Sequence, residues 1–209
     1  MSHLILLGDS IFDNRTYVEG GPAVIDLVQQ RIPQKWRASL LAVDGNTSAH
    51  VTQQLGRMPP DASHLILSVG GNDALGYLSQ MNTPVSNLAG ALGLLAKWRK
   101  DFQTSYTGAV NEILNLKLPL MVCTIYDNVP ELTDPLKSAL ALFNDIIIRT
   151  AIAFGVPVLD LRMICTDPGD YSAMSPIEPS LQGGIKIADR MVSALLHHDS
   201  STSACLIYS

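Results

Sequence analysis

The chain has few charges for its length. Only 16% of its 209 residues are Asp, Glu, Lys or Arg, against 47% hydrophobic residues. That balance excludes a disordered protein and describes one domain with a full core. Basic clusters are also missing. The net charge is −5, and the densest positive group is Lys97, Arg99 and Lys100. A phosphate-backbone partner would need a basic face, so no nucleic-acid role is expected. No apolar run reaches the length of a membrane span. The amino terminus enters its first strand without a basic, apolar and small-residue leader, so a cytoplasmic location is expected. The three cysteines, Cys123, Cys165 and Cys205, form no CxxC pair. Three thiols in a reducing compartment fit this spacing better than a disulfide framework or a zinc site. No ligand spacing among Asp13, Glu19, Asp167 and Asp170 marks a metal site, and no cofactor is expected.

What is present is a series of short apolar runs alternating with helical patterns. Leu4-Ile5-Leu6-Leu7 reads as a strand buried on both faces, and it stops at Gly8-Asp9-Ser10. Further strands are expected at 36–43, 65–69, 119–124 and 156–161. Between them lie helical patterns: one opened by Pro22, a short one at Ser48–Leu55, and a long apolar face from Val85 to Ile113, broken once. Asp134-Pro135 opens another that ends at Gly155, and the last is capped by Ser180. Strand and helix alternate without hairpin signals, which specifies five parallel strands with helices on both faces, a three-layer α/β/α sandwich. Residues 1–199 are read as one domain and 200–209 as a Ser/Thr-rich tail, in which Leu206-Ile207-Tyr208 are able to dock. The sequence admits a homodimer through the long helix carrying Trp98 and Phe102, and equally admits those residues as core.

Three polar turns terminate the first three strands: Gly8-Asp9-Ser10, Asp44-Gly45-Asn46 and Gly70-Gly71-Asn72-Asp73. On one edge of a parallel sheet such turns converge around a crevice. A serine nucleophile there needs oxyanion donors. The backbone amide of Ser10, a glycine amide at Gly45 and the side-chain amide of Asn72 are suitable and carry no charge. Taken alone, Gly-Asp-Ser is only a turn, and Asp9 and Asp73 are expected to bond their own turns.

The three turns, in this order, resemble the blocks of the SGNH (GDSL) hydrolase superfamily over nearly the whole chain. The resemblance implies a flavodoxin-like sandwich and hydrolysis of a carboxylic ester or related acyl group through an acyl-serine at Ser10. Gly45 and Asn72 would complete the oxyanion hole. The fourth block departs from the pattern. Family members usually carry Asp-x-x-His before the last helix, whereas Ser175-Pro176-Ile177-Glu178 stands here, with Glu178 in the histidine's place. None of the five histidines fills the gap. His3 and His64 flank strands, His197 and His198 end the last helix, and His50 is read as a helix-surface residue.

Two readings follow. Glu178 is the base, its pKa raised by Met174, Pro176, Ile177 and Pro179 around it, in a serine esterase that is slower than a histidine relative. Alternatively, the triad is dismantled and the crevice binds a small acyl or sugar ligand without turnover. A flavodoxin-type phosphate binder finds no Ser/Thr/Gly-rich cradle to support it.

Overall fold

The computed structural model describes residues 1–198 and 205–209. Six parallel strands run in the order β2-β1-β3-β4-β5-β6. The strands are β1 (Ser2–Gly8), β2 (Trp36–Leu40), β3 (His64–Ser68), β4 (Leu120–Cys123), β5 (Val158–Leu159) and β6 (Ile207–Tyr208). The helices are α1 (Val24–Arg31), α2 (Val51–Leu55), α3 (Gly71–Leu75), α4 (Leu88–Leu114), α5 (Asp134–Phe154), α6 (Leu161–Ile164) and α7 (Leu181–His197).

The alternation of β1 sorts its side chains between two cores. Leu4 and Leu6 face α1 and α7 together with Ile66, Met121 and Ile187. Ile5 and Leu7 face α4 and α5 with Leu65, Leu67, Phe102 and Ile147. All four β1 leucine and isoleucine side chains are fully buried, and each such burial contributes about 1.5–3 kcal/mol. Strands covered on both sides have no polar positions to spare, which is why they read as continuous apolar runs.

The sheet has six strands where five were expected. Ile207–Tyr208 lies beside β5, with Val158 N–H bonded to Leu206 O and Asp160 N–H to Tyr208 O, both at 2.8 Å. A two-residue strand has too little periodicity to be seen in sequence, although the docking of this segment was foreseeable. Residues 200–204 of the expected tail lie outside the described residues.

Helix α4 differs in two respects. It is unbroken over its 27 residues and starts at an Asn87 cap, whose side chain accepts Gly90 N–H. None of its residues before Trp98 is buried, so Val85, Leu88 and Leu92 are exposed and not on the core face. Trp98 and Phe102 are core residues. In α7, Ile185 is likewise partly exposed, while Ala188, Met191 and Val192 point inward. No helix among the described residues is long and apolar enough to cross a membrane. Cys123, Cys165 and Cys205 are free thiols.

Candidate active site

Strand β1 ends in a conformation only glycine supplies. Gly8 has φ +128°, and a Cβ there would lie 1.8 Å from Ser68 O on β3. Beyond it, Asp9 N–H bonds to Ser68 O at 3.0 Å, and Asp9 O accepts Phe12 and Asp13 N–H at 3.2 and 3.1 Å. The Asp9 carboxylate accepts Ile11 N–H at 3.1 Å, the own-turn bond expected of it. This tight turn places Ser10 at the carboxyl edge of the sheet, 5% exposed.

The other two turns are tied to the first by side chains that the sequence reading did not single out. Buried Gln54 on α2 accepts Gly8 N–H at 2.8 Å. It donates to Gly8 O at 2.7 Å and to Asn46 Oδ1 at 2.9 Å. Asn72 Nδ2 donates to Asn46 O at 3.0 Å, joining the third turn to the second. Asp73 accepts Ser48 N–H at 2.9 Å and Ser48 Oγ at 2.5 Å. It therefore ties the third turn to the segment after the second, in addition to the bond from its own backbone N–H that was expected of it. No periodicity marks a glutamine as a clamp of this kind, because its partner Gly8 is 46 residues away.

Gln54→Leu leaves the buried Gly8 N–H without a partner at similar side-chain volume, while Gly8 O keeps Val43 N–H at 3.1 Å. A loss of about 2 kcal/mol is expected, read as a lower urea midpoint with an unchanged slope.

The backbone N–H groups of Ser10 and Gly45 donate to no other group among the described residues. Gly45, at φ +78°, sits in an exposed turn. With one N–H of the Asn72 amide turned to Asn46, the other is left for a ligand. Ser10, Gly45 and Asn72 thus lie on the same sheet edge with donor capacity unspent.

Glu178 reaches this edge from the turn 175–178, closed by Glu178 N–H to Ser175 O at 3.0 Å. Three contacts hold that segment. Tyr126 OH donates to Ile177 O at 2.6 Å, Asn14 Nδ2 to Pro179 O at 3.2 Å, and Ser172 N–H to Glu178 O at 2.8 Å. Asn14 is fully buried and also caps α1 by accepting Val24 N–H at 2.9 Å. The Glu178 side chain is 5% exposed, and its Oε2 has no partner. Burial raises its pKa to about 7, the Ser10 hydroxyl offsets part of that rise, and Asp44 adds to it. Asp9 is pushed up mainly by burial, with Glu178 and Asp73 contributing as like charges.

No histidine enters the site. His50 Nδ1 bonds to Thr47 N–H at 3.0 Å. His3 pairs with Asp61 at 3.2 Å, His64 with Ser63, His197 with Ser193 O and His198 with Tyr208. Asp167 and Asp170 are held by Lys186 at 2.6 and 2.7 Å. No cluster of three or more His, Cys, Asp or Glu side chains suited to a metal occurs among the described residues.

Ser10, Asn72 and Glu178 open onto a cavity of about 120 Å³, bounded by α3, α4, α5 and the loop at 125–132. A parallel sheet flanked by helices, with a serine, an asparagine and a glutamate beside an apolar cavity at its carboxyl edge, places the chain among α/β/α folds with a candidate hydrolase site. The chain belongs to the GDSL-like lipase/acylhydrolase family, whose model matches residues 6–183.

Solved structures share the fold. An α/β hydrolase enzyme from the metagenome of Lake Arreo, Spain, is 18% identical with a TM-score of 0.70, covering 95% of this chain and 97% of that one. A variant of the acetyl xylan esterase Axe2 from Geobacillus stearothermophilus is 15% identical with a TM-score of 0.68, covering 92% and 93%. The lipase Lip_vut3 from a goat rumen metagenome is 14% identical with a TM-score of 0.72, covering 93% and 97%. No curated protein matches the sequence. The family supports an ester-hydrolysing function.

Proposed function

We propose that this protein is a serine hydrolase of carboxylic esters that uses Glu178 where relatives use histidine. The observation that carries the reading is the buried Glu178 carboxyl beside Ser10, with an unpartnered Oε2 and a pKa of about 7. An ordinary glutamate, near 4.3, is a poor base for a serine hydroxyl. At about 7 the group is matched to proton transfer in both directions at neutral pH.

In the first half-reaction Ser10 Oγ bonds to the acyl carbon, its proton passes to Glu178, and the carbonyl electron pair moves onto oxygen. The N–H groups of Ser10 and Gly45 and the Asn72 amide hold that oxyanion. Collapse breaks the bond to the alcohol, which takes the proton from Glu178 and leaves the acyl group on Ser10. Water then repeats the sequence, with Glu178 again accepting and returning one proton, and frees the acid. Ser175 stands where relatives carry an aspartate, and its neutrality suits a carboxylate base. A second carboxylate would repel it, whereas it would stabilise an imidazolium.

Incubation with an alkyl fluorophosphonate tests the reading. A single phosphonyl mass on the peptide containing Ser10 is expected, forming faster as the pH rises through 7. No adduct at pH 8, or an adduct on another residue, would leave a ligand-binding protein without turnover.

A further inference from the structure

We propose that the acyl group taken by this site is an unbranched hydrocarbon chain of about five or six carbons, seated in the cavity beside Ser10. This rests on the ester-hydrolase reading and adds the substrate class.

Three observations carry it. The first is the lining. Beyond Ser10 the walls are Tyr77, Trp98, Ile125, Leu136, Ala139 and Phe143, with Leu75 and Leu78 partly exposed, at 36% and 44%. Three polar side chains of these walls are spent elsewhere. Trp98 Nε1 donates to Gln80 Oε1 at 3.0 Å, Thr124 Oγ1 to Asp160 Oδ1 at 2.8 Å, and Tyr126 OH to Ile177 O. The hydroxyl of half-exposed Tyr77 has no hydrogen-bond partner among the described residues. One such hydroxyl replaces little of the hydration that a hydroxylated acyl group gives up, whereas a hydrocarbon loses nothing.

The second is the size. A cavity of about 120 Å³ is slightly smaller than the roughly 150 Å³ apolar cavity known to admit benzene, a six-carbon ligand. An acetyl group leaves most of it empty, and a long acyl chain exceeds it.

The third is the asymmetry about the nucleophile. The cavity walls include neither Asp13, which accepts Asp44 N–H at 3.0 Å, nor exposed Asp44, which accepts Tyr17 OH at 2.8 Å. Asp44 is close enough to raise the pKa of Glu178. A hydrated alcohol portion fits this open acidic side, so the chain in the cavity is the acyl portion.

The test is a series of 4-nitrophenyl esters from acetyl to dodecanoyl. Because each methylene buried adds about fourfold, kcat/KM should climb to pentanoyl or hexanoyl and fall beyond octanoyl. In Ala139→Phe, which fills the cavity, the hexanoyl-to-acetyl ratio should drop at least thirtyfold. An acetyl optimum in the wild type, a climb continuing to dodecanoyl, or an unchanged ratio in Ala139→Phe would overturn the proposal.

Binding is read separately from turnover in a Trp36→Phe background, where Trp98 is the remaining tryptophan. Its fluorescence should respond saturably to 1-hexanol at concentrations at least tenfold below those needed for ethanol. Absence of that response would overturn the chain assignment even in an active enzyme. A clear response in a protein that hydrolyses no ester would instead place the failure in the catalytic reading.

Discussion

Ser10→Ala is expected to lower kcat/KM for a short-chain aryl ester by about 10⁴-fold or more, with the protein still folded. In the proposed reaction the Ser10 hydroxyl forms the covalent bond. Cys123 and Cys165 are buried, and burial holds both thiols up, Cys165 at about 12. Neither supplies a thiolate at neutral pH. The residual rate belongs to binding and to the oxyanion donors alone. The same substitution has a second consequence, at Glu178. The Ser10 hydroxyl lowers the pKa of Glu178, so removing it should move the Glu178 carboxyl above 7, visible in a carbon-detected pH titration. Activity retained in Ser10→Ala would end the covalent mechanism.

Glu178→Gln is expected to cost 10²- to 10⁴-fold in kcat/KM, the range of a lost general base. Its pH dependence is more diagnostic than its size. The carboxylate is the active form, so wild-type kcat/KM should rise with pH to a plateau, with a midpoint near 7. Glu178→Gln should be flat over that range.

Stability should run the opposite way. The folded-state pKa of Glu178 lies above its ordinary 4.5, so between 4.5 and 7 the folded protein binds more protons than the unfolded chain. Stability therefore falls as pH rises through that window, and above 7 the folded state carries the full cost of a buried carboxylate. The urea midpoint of Glu178→Gln relative to wild type should accordingly increase from pH 5 to pH 8. A pH–rate midpoint that persists in Glu178→Gln would remove this residue from the base role.

Much of this protein was open to reading in the chain itself. Strand β1 was legible because a strand covered on both faces must be apolar throughout, and Leu4–Leu7 admits no other placement in a soluble fold. Ser180 as the cap of α7 and Gly155 as the left-handed end of α5 are local devices, each satisfied within a few residues. The three turns carrying Ser10, Gly45 and Asn72 could be ordered along one sheet edge because parallel strands leave their carboxyl ends together. Glu178 drew notice as a departure from the spacing that the family resemblance implies.

The rest depended on groups brought together from afar. The apolar stripe at Val85, Leu88 and Leu92 looks like a core face, yet it is exposed among the described residues, since periodicity reports a face and not what covers it. The short β6 is held by hydrogen bonds to β5 that no local pattern announces. Gln54, Asn14 and Asp73 became interpretable only once their partners were adjacent.

The sequence by itself thus determined the α/β/α architecture and offered the candidate reacting groups, because buried strands and turns impose local residue choices. Tertiary structure decided whether Glu178 is an ordinary loop carboxylate or a group near neutrality facing Ser10. That difference is set by desolvation, and desolvation belongs to the assembled surroundings of a residue.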